Sequence, residues 1–327
     1  MQPTLYGVDA GGSRTIITVV RPDAAPVRWE RGSFAIATAG AEEAARCLTD
    51  LLLEIAAAVG DDRPAIGCVA SSAMPVGDEA PPPRLLIDAL HDNAPPGWVV
   101  LVNDVIPLLW SAHLHGLGLA VSSGTGSSVI GRGADERLLK VGGHEYIISD
   151  EGSAYSLARE GLRCAAKAAD GLGEATALRH AAEAYFERQM SAVGRWLAEM
   201  PRARRTVAGF APQVTGAAEA GDLVAQRIVA TEADRLVDAV QFAAGQLGLP
   251  PMSPIGLAGG VFWGSALFRE RVQNTLHRRG LTDATRRNVL LLEGQQSSLG
   301  FARIVAGLVA VDVKPDPPSG LLMRIRA

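Results

Sequence analysis

Apolar and polar positions along the chain fall into a strand-and-helix order that occurs twice. Residues 5–8 and 15–20 are short apolar runs, the second rich in β-branched residues, and with 27–31 they read as three consecutive strands. Apolar positions at helical spacing predict an amphipathic helix over 42–59, and 65–70 reads as a buried strand. A helix is predicted over 81–91, with prolines in its first turn where a missing N–H does no harm. The run 99–102 predicts a buried strand ending at Asn103-Asp104, with a helix following to His113. The pattern then restarts, with a strand over 118–122, a glycine turn over 122–128, and strands at 129–131 and 137–141. Residues 151–247 read as helical, interrupted by Gly and Pro. Then come a strand at 255–257, a helix over 265–278, a strand at 288–292, a helix over 298–309 and an irregular Pro/Asp/Lys-rich tail. On the helix expected over 222–247, Val229, Ala233, Leu236, Val240, Ala243 and Leu247 share one face, which predicts core.

Strand, glycine hairpin and strand thus occur twice, about one domain apart. Repeated βββαβα units predict an α/β fold of two similar domains with a cleft between them. The boundaries expected are 1–115 for the first domain and 116–310 for the second, with a helical segment over 151–248 and the tail 311–327 returning to the first.

The two glycine turns carry the candidate chemistry. The first, within Tyr6-Gly-Val-Asp-Ala-Gly-Gly-Ser-Arg-Thr15, is not a P-loop, because none of the three lysines, Lys140, Lys167 and Lys314, follows a glycine-rich loop. It is not a dinucleotide fingerprint either, because a β-branched strand rather than a helix follows it. It reads as a hairpin with Asp9 at the end of its first strand. Hairpin glycines let backbone N–H groups approach phosphate oxygens closely. The hydroxyls of Ser13, Thr15, Thr125 and Ser127 can add donors. Asp9 would repel phosphate, but it can hold Mg²⁺ through water, and the metal then neutralises the phosphates. Asp104 ends a buried strand at the carboxyl edge where α/β sheets place their chemistry, and it also stands where a helix N-cap would.

Composition narrows the class. The 327 residues suffice for two domains, and 48% hydrophobic with 20% charged residues is an ordinary globular balance. A formal net charge of −4 gives no reason to expect nucleic acid or an anionic membrane surface. No apolar run of about eighteen residues is present, so no membrane span is expected, and no secretory signal is read. Cys47, Cys68 and Cys164 are few and far apart, and they read as small core residues in a reducing cytoplasm.

These motifs resemble a known family. Asp9-Ala-Gly-Gly-Ser-Arg-Thr15 is similar to the first phosphate motif of the actin and hexokinase superfamily, Ser123-Gly-Thr-Gly-Ser127 to the second, and Ala258-Gly259-Gly260-Val261 to its adenosine motif. The run from Gly142 to Tyr155, GGHEYIISDEGSAY, resembles the segment that marks the N-acetylglucosamine kinases and their BadF/BadG-type ATPase relatives, including those that activate benzoyl-CoA reductases. The resemblance implies two ribonuclease H-like (actin/hexokinase-type) domains with a nucleotide cleft between them. It implies ATP and Mg²⁺, with Asp9, Gly11, Gly12, Ser13, Arg14, Thr15, Gly124, Thr125, Gly126, Ser127, Gly259 and Gly260 as cofactor-binding residues and Asp9 on the metal. It also implies Asp104 as general base and Ser72, Asp104, Ser128, Gly143 and Asp150 as residues near an amino sugar. An adenine ring could lie flat on Gly259-Gly260, which is otherwise a simple strand–helix turn. Asp150 and Glu151 also suit the first turn of a helix.

The function expected is transfer of the ATP γ-phosphate to the 6-hydroxyl of N-acetylglucosamine or glucosamine, in a cytoplasmic homodimer. N-acetylmuramic acid stays open, because 33–36, Ser-Phe-Ala-Ile, lacks the Asn such kinases use there. His144 and Glu145 replace an aromatic and a small residue of those kinases, which bears on the sugar's 2-substituent. A partner-coupled ATPase is the alternative, although no cysteine lies beside either hairpin as a cluster ligand would. A sugar-sensing regulator would usually carry a helix-turn-helix, for which the sequence shows no candidate ahead of the first hairpin. His113 and His115 do not share a helix face and make no metal pair.

Overall fold

The computed structural model describes residues 2–11, 14–34, 40–60, 63–76, 81, 83–111, 114, 116–200, 203–292, 297–310 and 321–325. The expected sites Gly12 and Ser13, residues 35–36, and His113 and His115 lie outside them. The chain divides into two compact units: Met1–Leu117 with Arg132–Leu139 and Glu293–Ala327, and Gly118–Gly131 with Lys140–Leu292.

The first unit is built on β1 (Thr4–Ala10), β2 (Arg14–Val20), β3 (Val27–Gly32), β4 (Ala65–Ser71) and β5 (Gly97–Val102). The second is built on β6 (Gly118–Ser123), β7 (Ser127–Arg132), β8 (Leu138–Val141), β9 (Ile255–Ala258) and β10 (Val289–Leu291). In the first sheet the order is β5-β4-β1-β2-β3, with a further strand from the tail, Leu321–Ile325, outside β5, and in the second it is β10-β9-β6-β7-β8. Matched element by element, these are the same topology, so the repeat in the sequence is a repeat in space. β1 pairs antiparallel with β2 and parallel with β4, and β4 pairs parallel with β5. β6 pairs parallel with β9, and β9 with β10.

Alternation along β1 sorts the layers of the first unit. Tyr6 and Val8 are buried with Leu48, Leu52 and Ile55 of α1 (Ala41–Val59) and Leu86 and Leu90 of α2 (Arg84–Asn93). Gly7 points the other way, where a Cβ would overlap Leu299 N and lie 2.6 Å from Ser298 Oγ. That glycine lets the N-terminal turn of a late helix, Ser297–Ala310, sit directly on the strand. The helix therefore groups with the first unit, whereas the boundary expected at 310 assigned it to the second.

Among the described residues, six helices fill the segment between β8 and β9: α3 (Ala154–Ala169), α4 (Leu178–Phe186), α5 (Met190–Glu199), α6 (Ala203–Ala208), α7 (Ala211–Glu219) and α8 (Leu223–Gln246). The predicted face of α8, Val229 to Leu247, is buried throughout. After β9 come α9 (Gly260–Gly264) and α10 (Ala266–Arg278), and Ser297–Ala310 is α11.

Three local expectations are corrected. The segment after Asn103-Asp104 is a five-residue 3-10 helix, Ile106–Trp110, rather than a longer helix, and it ends where Ser111 turns to an extended backbone (ψ 150°). The first turn expected at 81 begins at Arg84. The tail is not wholly irregular, because Leu321–Ile325 forms β11 and pairs antiparallel with β5 from Leu321↔Leu101 to Ile325↔Gly97. A strand that relies on a partner more than two hundred positions away has little local signature. No helix among the described residues is long and apolar enough to cross a membrane.

Candidate active site

In the first unit, register brings the expected residues to one sheet edge. Ala70 of β4 pairs with both Asp9 of β1 and Val102 of β5. Asp9, Ser72 and Asp104 therefore stand at or just past the carboxyl ends of three adjacent parallel strands, the edge where open α/β sheets bind ligands. Asp9 Oδ1 accepts the Ser298 N–H at the start of α11 (3.1 Å), which suits a carboxylate at a helix N-terminus. Ser72 is exposed. Asp104 is half-buried, and the turn beneath it is held by Asn103. The Asn103 side chain is buried, its Nδ2 donates to the Met74 carbonyl, and its Oδ1 accepts the Val105 N–H (3.3 Å). The N-cap position of the 3-10 helix that follows is held by Val105 rather than by Asp104.

The first hairpin is partly described. Gly11 N–H donates to the Arg14 carbonyl (3.1 Å), and Gly11 C=O accepts from Ser33 Oγ (2.8 Å). Thr15 is fully buried and its hydroxyl donates to Gly32 C=O (3.1 Å), so that expected phosphate donor is engaged within the sheet. Arg14 faces Glu30 at 3.5 Å on the surface.

In the second unit the hairpin between β6 and β7 is stitched to the turn 150–153 that precedes α3. Ser123 Oγ donates to Gly152 C=O (2.7 Å), Ser127 Oγ to Glu151 C=O (2.7 Å), and Ser127 N–H to Asp150 Oδ1 (3.1 Å). In return, the first amides of α3 donate to the hairpin, Ala154 N–H to Gly124 C=O (2.9 Å) and Tyr155 N–H to Thr125 C=O (3.3 Å). The Ser127 hydroxyl is therefore spent on the turn, which corrects its expected role as a phosphate donor. The glycines differ in what they do. A Cβ on Gly126 would meet Arg204 Nη2 at 2.7 Å and Asp150 Oδ2 at 2.8 Å, whereas one on Gly124 would meet nothing within 4 Å. Packing explains Gly126, and open space at the hairpin tip is what Gly124 provides.

Asp150 is 2% exposed with φ 77°, a left-handed conformation costly for a non-glycine residue. It does not cap α3, since Ser153 does, accepting from Ser156 N–H (3.1 Å). The second Asp150 oxygen accepts from Arg204 Nη2 (2.7 Å), and Arg204 Nη1 donates to Glu145 (2.9 Å). The guanidinium also lies over the Tyr146 ring, 5.0 Å from its centroid, with Tyr155 edge-on behind that ring. Burial pushes the Asp150 carboxyl up, and the Ser127 N–H and Arg204 offset part of that rise. Ser128 is buried beside Gly143, where a Cβ would come within 3.2 Å of the Ser128 Cβ. His144 is exposed and its N–H donates to Ser149 Oγ (3.0 Å). Gly259, at φ 107°, abuts the Ser123 backbone, while Gly260 opens α9 with nothing within 4 Å of a Cβ.

Three residues near these sites carried no signal in the sequence reading: Asn103, Arg204 and Glu232, the last of which accepts Gly152 N–H (2.7 Å). Arg204 and Glu232 lie in helices 54 and 80 positions from their partners. Cys68 is buried, and burial and Asp9 both raise its thiol pKa, as fits a core residue. Among the described residues no three His, Cys, Asp or Glu side chains cluster as metal ligands.

Comparison with known proteins follows the same lines. An N-acetylmuramic acid/N-acetylglucosamine kinase of Clostridium acetobutylicum is 27% identical over 237 residues, 71% of this chain and 76% of that one. Among solved structures, a candidate N-acetylglucosamine kinase from Chromobacterium violaceum superposes with a TM-score of 0.68 at 23% identity, covering 92% of this chain and 99% of that one. A ROK family glucokinase from Streptomyces griseus, in complex with glucose and AMPPNP, superposes with a TM-score of 0.55 at 18% identity, covering 92% and 98%. These likenesses show an actin/hexokinase-type fold of two domains. The model of the BadF/BadG/BcrA/BcrD ATPase family matches residues 6–284, and the chain is a member of that family.

Proposed function

We propose that the protein is an ATP-dependent amino-sugar kinase that phosphorylates the 6-hydroxyl of N-acetylglucosamine or glucosamine. The observation that carries this reading is the duplicated sheet. Each copy turns a glycine hairpin after its first strand, and the first copy gathers Asp9 and Asp104 at its carboxyl edge. The Clostridium relative, an N-acetylmuramic acid/N-acetylglucosamine kinase, supports an amino-sugar acceptor.

Asp9 suits Mg²⁺ held through water, because its carboxylate is anchored by the Ser298 N–H at the sheet edge. Bound there, the ion would neutralise charge on the ATP phosphates. Around the second hairpin, the Gly124 N–H donates to Gly126 C=O (2.9 Å), and the amides beyond it at the open tip would approach phosphate oxygens. Gly260, bare at the start of α9, would leave room for the adenine face. Asp104 would accept the proton of the acceptor hydroxyl as that oxygen attacks phosphorus, and Asn103 holds the turn that aims it. Asp150 would accept from a sugar hydroxyl on a further lone pair, since its two oxygens each take one donor, the Ser127 N–H and Arg204. Ser72, Ser128 and Gly143 would complete the acceptor's surroundings.

Phosphorus NMR of the product formed from Mg-ATP and each amino sugar tests the reading. A 6-phosphate monoester supports it. Phosphate released as inorganic phosphate alone contradicts it and favours the second reading, a partner-coupled ATPase, which the family's name supports.

A further inference from the structure

We infer that Glu232 is a positioning residue that holds the turn carrying Asp150 from behind, through the amide of Gly152. The inference rests on the kinase reading for its catalytic consequence.

Glu232 sits at mid-length in α8 and is fully buried. A carboxylate placed there costs desolvation that an apolar side chain of the same size would avoid. Its two oxygens have separate partners. Oε2 accepts the Gly152 N–H at 2.7 Å, and Oε1 accepts from Arg235, one helical turn on, at 2.8 Å. Arg235 is half exposed, so the pair is neutralised from the solvent side.

Gly152 needs such an acceptor. At φ 76° it leaves the backbone pattern of both strand and helix, and its N–H points away from the hairpin into the helical layer. A Cβ there would lie 2.8 Å from the Leu236 Cβ, so the turn already touches α8. Its carbonyl meanwhile accepts from Ser123 on the hairpin side. Gly152 is thus pinned from both faces, by Ser123 in front and Glu232 behind. Two residues earlier stands Asp150 in a strained left-handed conformation, which persists only if its surroundings over-determine it. One residue later stands the N-cap of α3, whose first amides brace Gly124 and Thr125. One buried carboxylate on α8 therefore fixes both the acceptor-side carboxylate and the phosphate hairpin.

The role depends on reach and acceptor capacity rather than on charge, and two mild substitutions separate these. Glu232→Gln keeps an oxygen at the same reach and loses the charge. Glu232→Asp keeps the charge and withdraws it by one methylene. Both are compared with the wild type by thermal melting, by hydrogen exchange of the segment around Gly152, and by steady-state kinetics. The expected result is near-native exchange and kinetics for Glu232→Gln. Glu232→Asp is expected to lose protection at Gly152 and to raise the acceptor KM by about tenfold or more, with a smaller change in the ATP KM. Wild-type exchange and KM in Glu232→Asp, or equal loss in both variants, would overturn the inference. Hydrogen exchange decides the tether even if no sugar is phosphorylated, in which case the kinase reading fails by itself.

Discussion

Replacing Arg204 by Ala isolates the strongest electrostatic contact at the candidate acceptor site. The change removes the only side-chain cation bonded to Asp150 among the described residues and leaves that carboxylate with the Ser127 N–H. The Asp150 side chain is 3% exposed and that of Arg204 is 20% exposed. Breaking a buried pair by removing one partner costs about 3–5 kcal/mol, because a charge is left without compensation. The partial exposure of Arg204 lets water replace some of what is lost, which lowers the expectation to about 2–3 kcal/mol. Loss of the guanidinium from the Tyr146 face and from Glu145 adds little, since Glu145 is half exposed. For a unit of this size that is a fall in Tm of about 5–10 °C.

The pH dependence gives the sharper test. The Asp150 carboxyl is already raised by burial, and Arg204 is one of the groups holding it down. In the variant it rises further. A carboxyl with a raised folded-state pKa binds protons more tightly folded than unfolded, so acidification toward the ordinary carboxylate range favours the folded form. The deficit of Arg204→Ala against the wild type is therefore largest at neutral pH and shrinks as pH falls. Urea titrations of both proteins between pH 5 and pH 8 measure it. A loss below about 0.5 kcal/mol at neutral pH, or a deficit that grows on acidification, would refute the buried-pair account.

Other outcomes follow from the same contacts. Asp104→Asn should leave binding of ATP and sugar intact while lowering kcat by about 10²–10⁴-fold, and wild-type turnover would remove the base assignment. Gly259→Ala should cost about 3 kcal/mol, since φ 107° and the Ser123 backbone both oppose a side chain. Gly260→Ala should fold normally and raise the KM for ATP, and an unchanged KM would argue against an adenine platform there. Asp222 caps α8 through Ala225 N–H (2.9 Å) and also accepts from Ala177 N–H (2.7 Å) and Thr176 (2.8 Å). Burial raises its pKa, but those hydrogen bonds outweigh it and hold the carboxyl below its usual value. Asp222→Ala should cost about 1–2 kcal/mol at neutral pH. Because the depressed carboxyl contributes above its unfolded pKa, that difference should fade as pH drops through the folded value.

The elements that local pattern determines were legible in the sequence. Both hairpins were readable because β-branched runs flank clustered glycines, and the buried face of α8 followed from helical spacing alone. The site was legible where a motif is contiguous, as in Asp150 to Ser153, but the motif's partners were not. Nothing near Arg204 marks it as the mate of Asp150, and Glu232 breaks an apolar face without showing what it meets. Asp150 and Glu151, which suit a helix's first turn, stand ahead of α3 instead, because the left-handed turn delays the helix to its N-cap at Ser153. The strand in the tail escaped because its ladder is supplied wholly by β5.

The central claim is transfer of phosphate from ATP to an amino sugar, with Asp104 as base. The most direct test is ADP release from Mg-ATP, coupled to a spectroscopic readout, against glucosamine, N-acetylglucosamine, N-acetylmannosamine, N-acetylmuramic acid and glucose, for the wild type and Asp104→Asn. The account predicts release that depends on an amino sugar and collapses in Asp104→Asn. Release that ignores every sugar, or that survives the substitution, would contradict it.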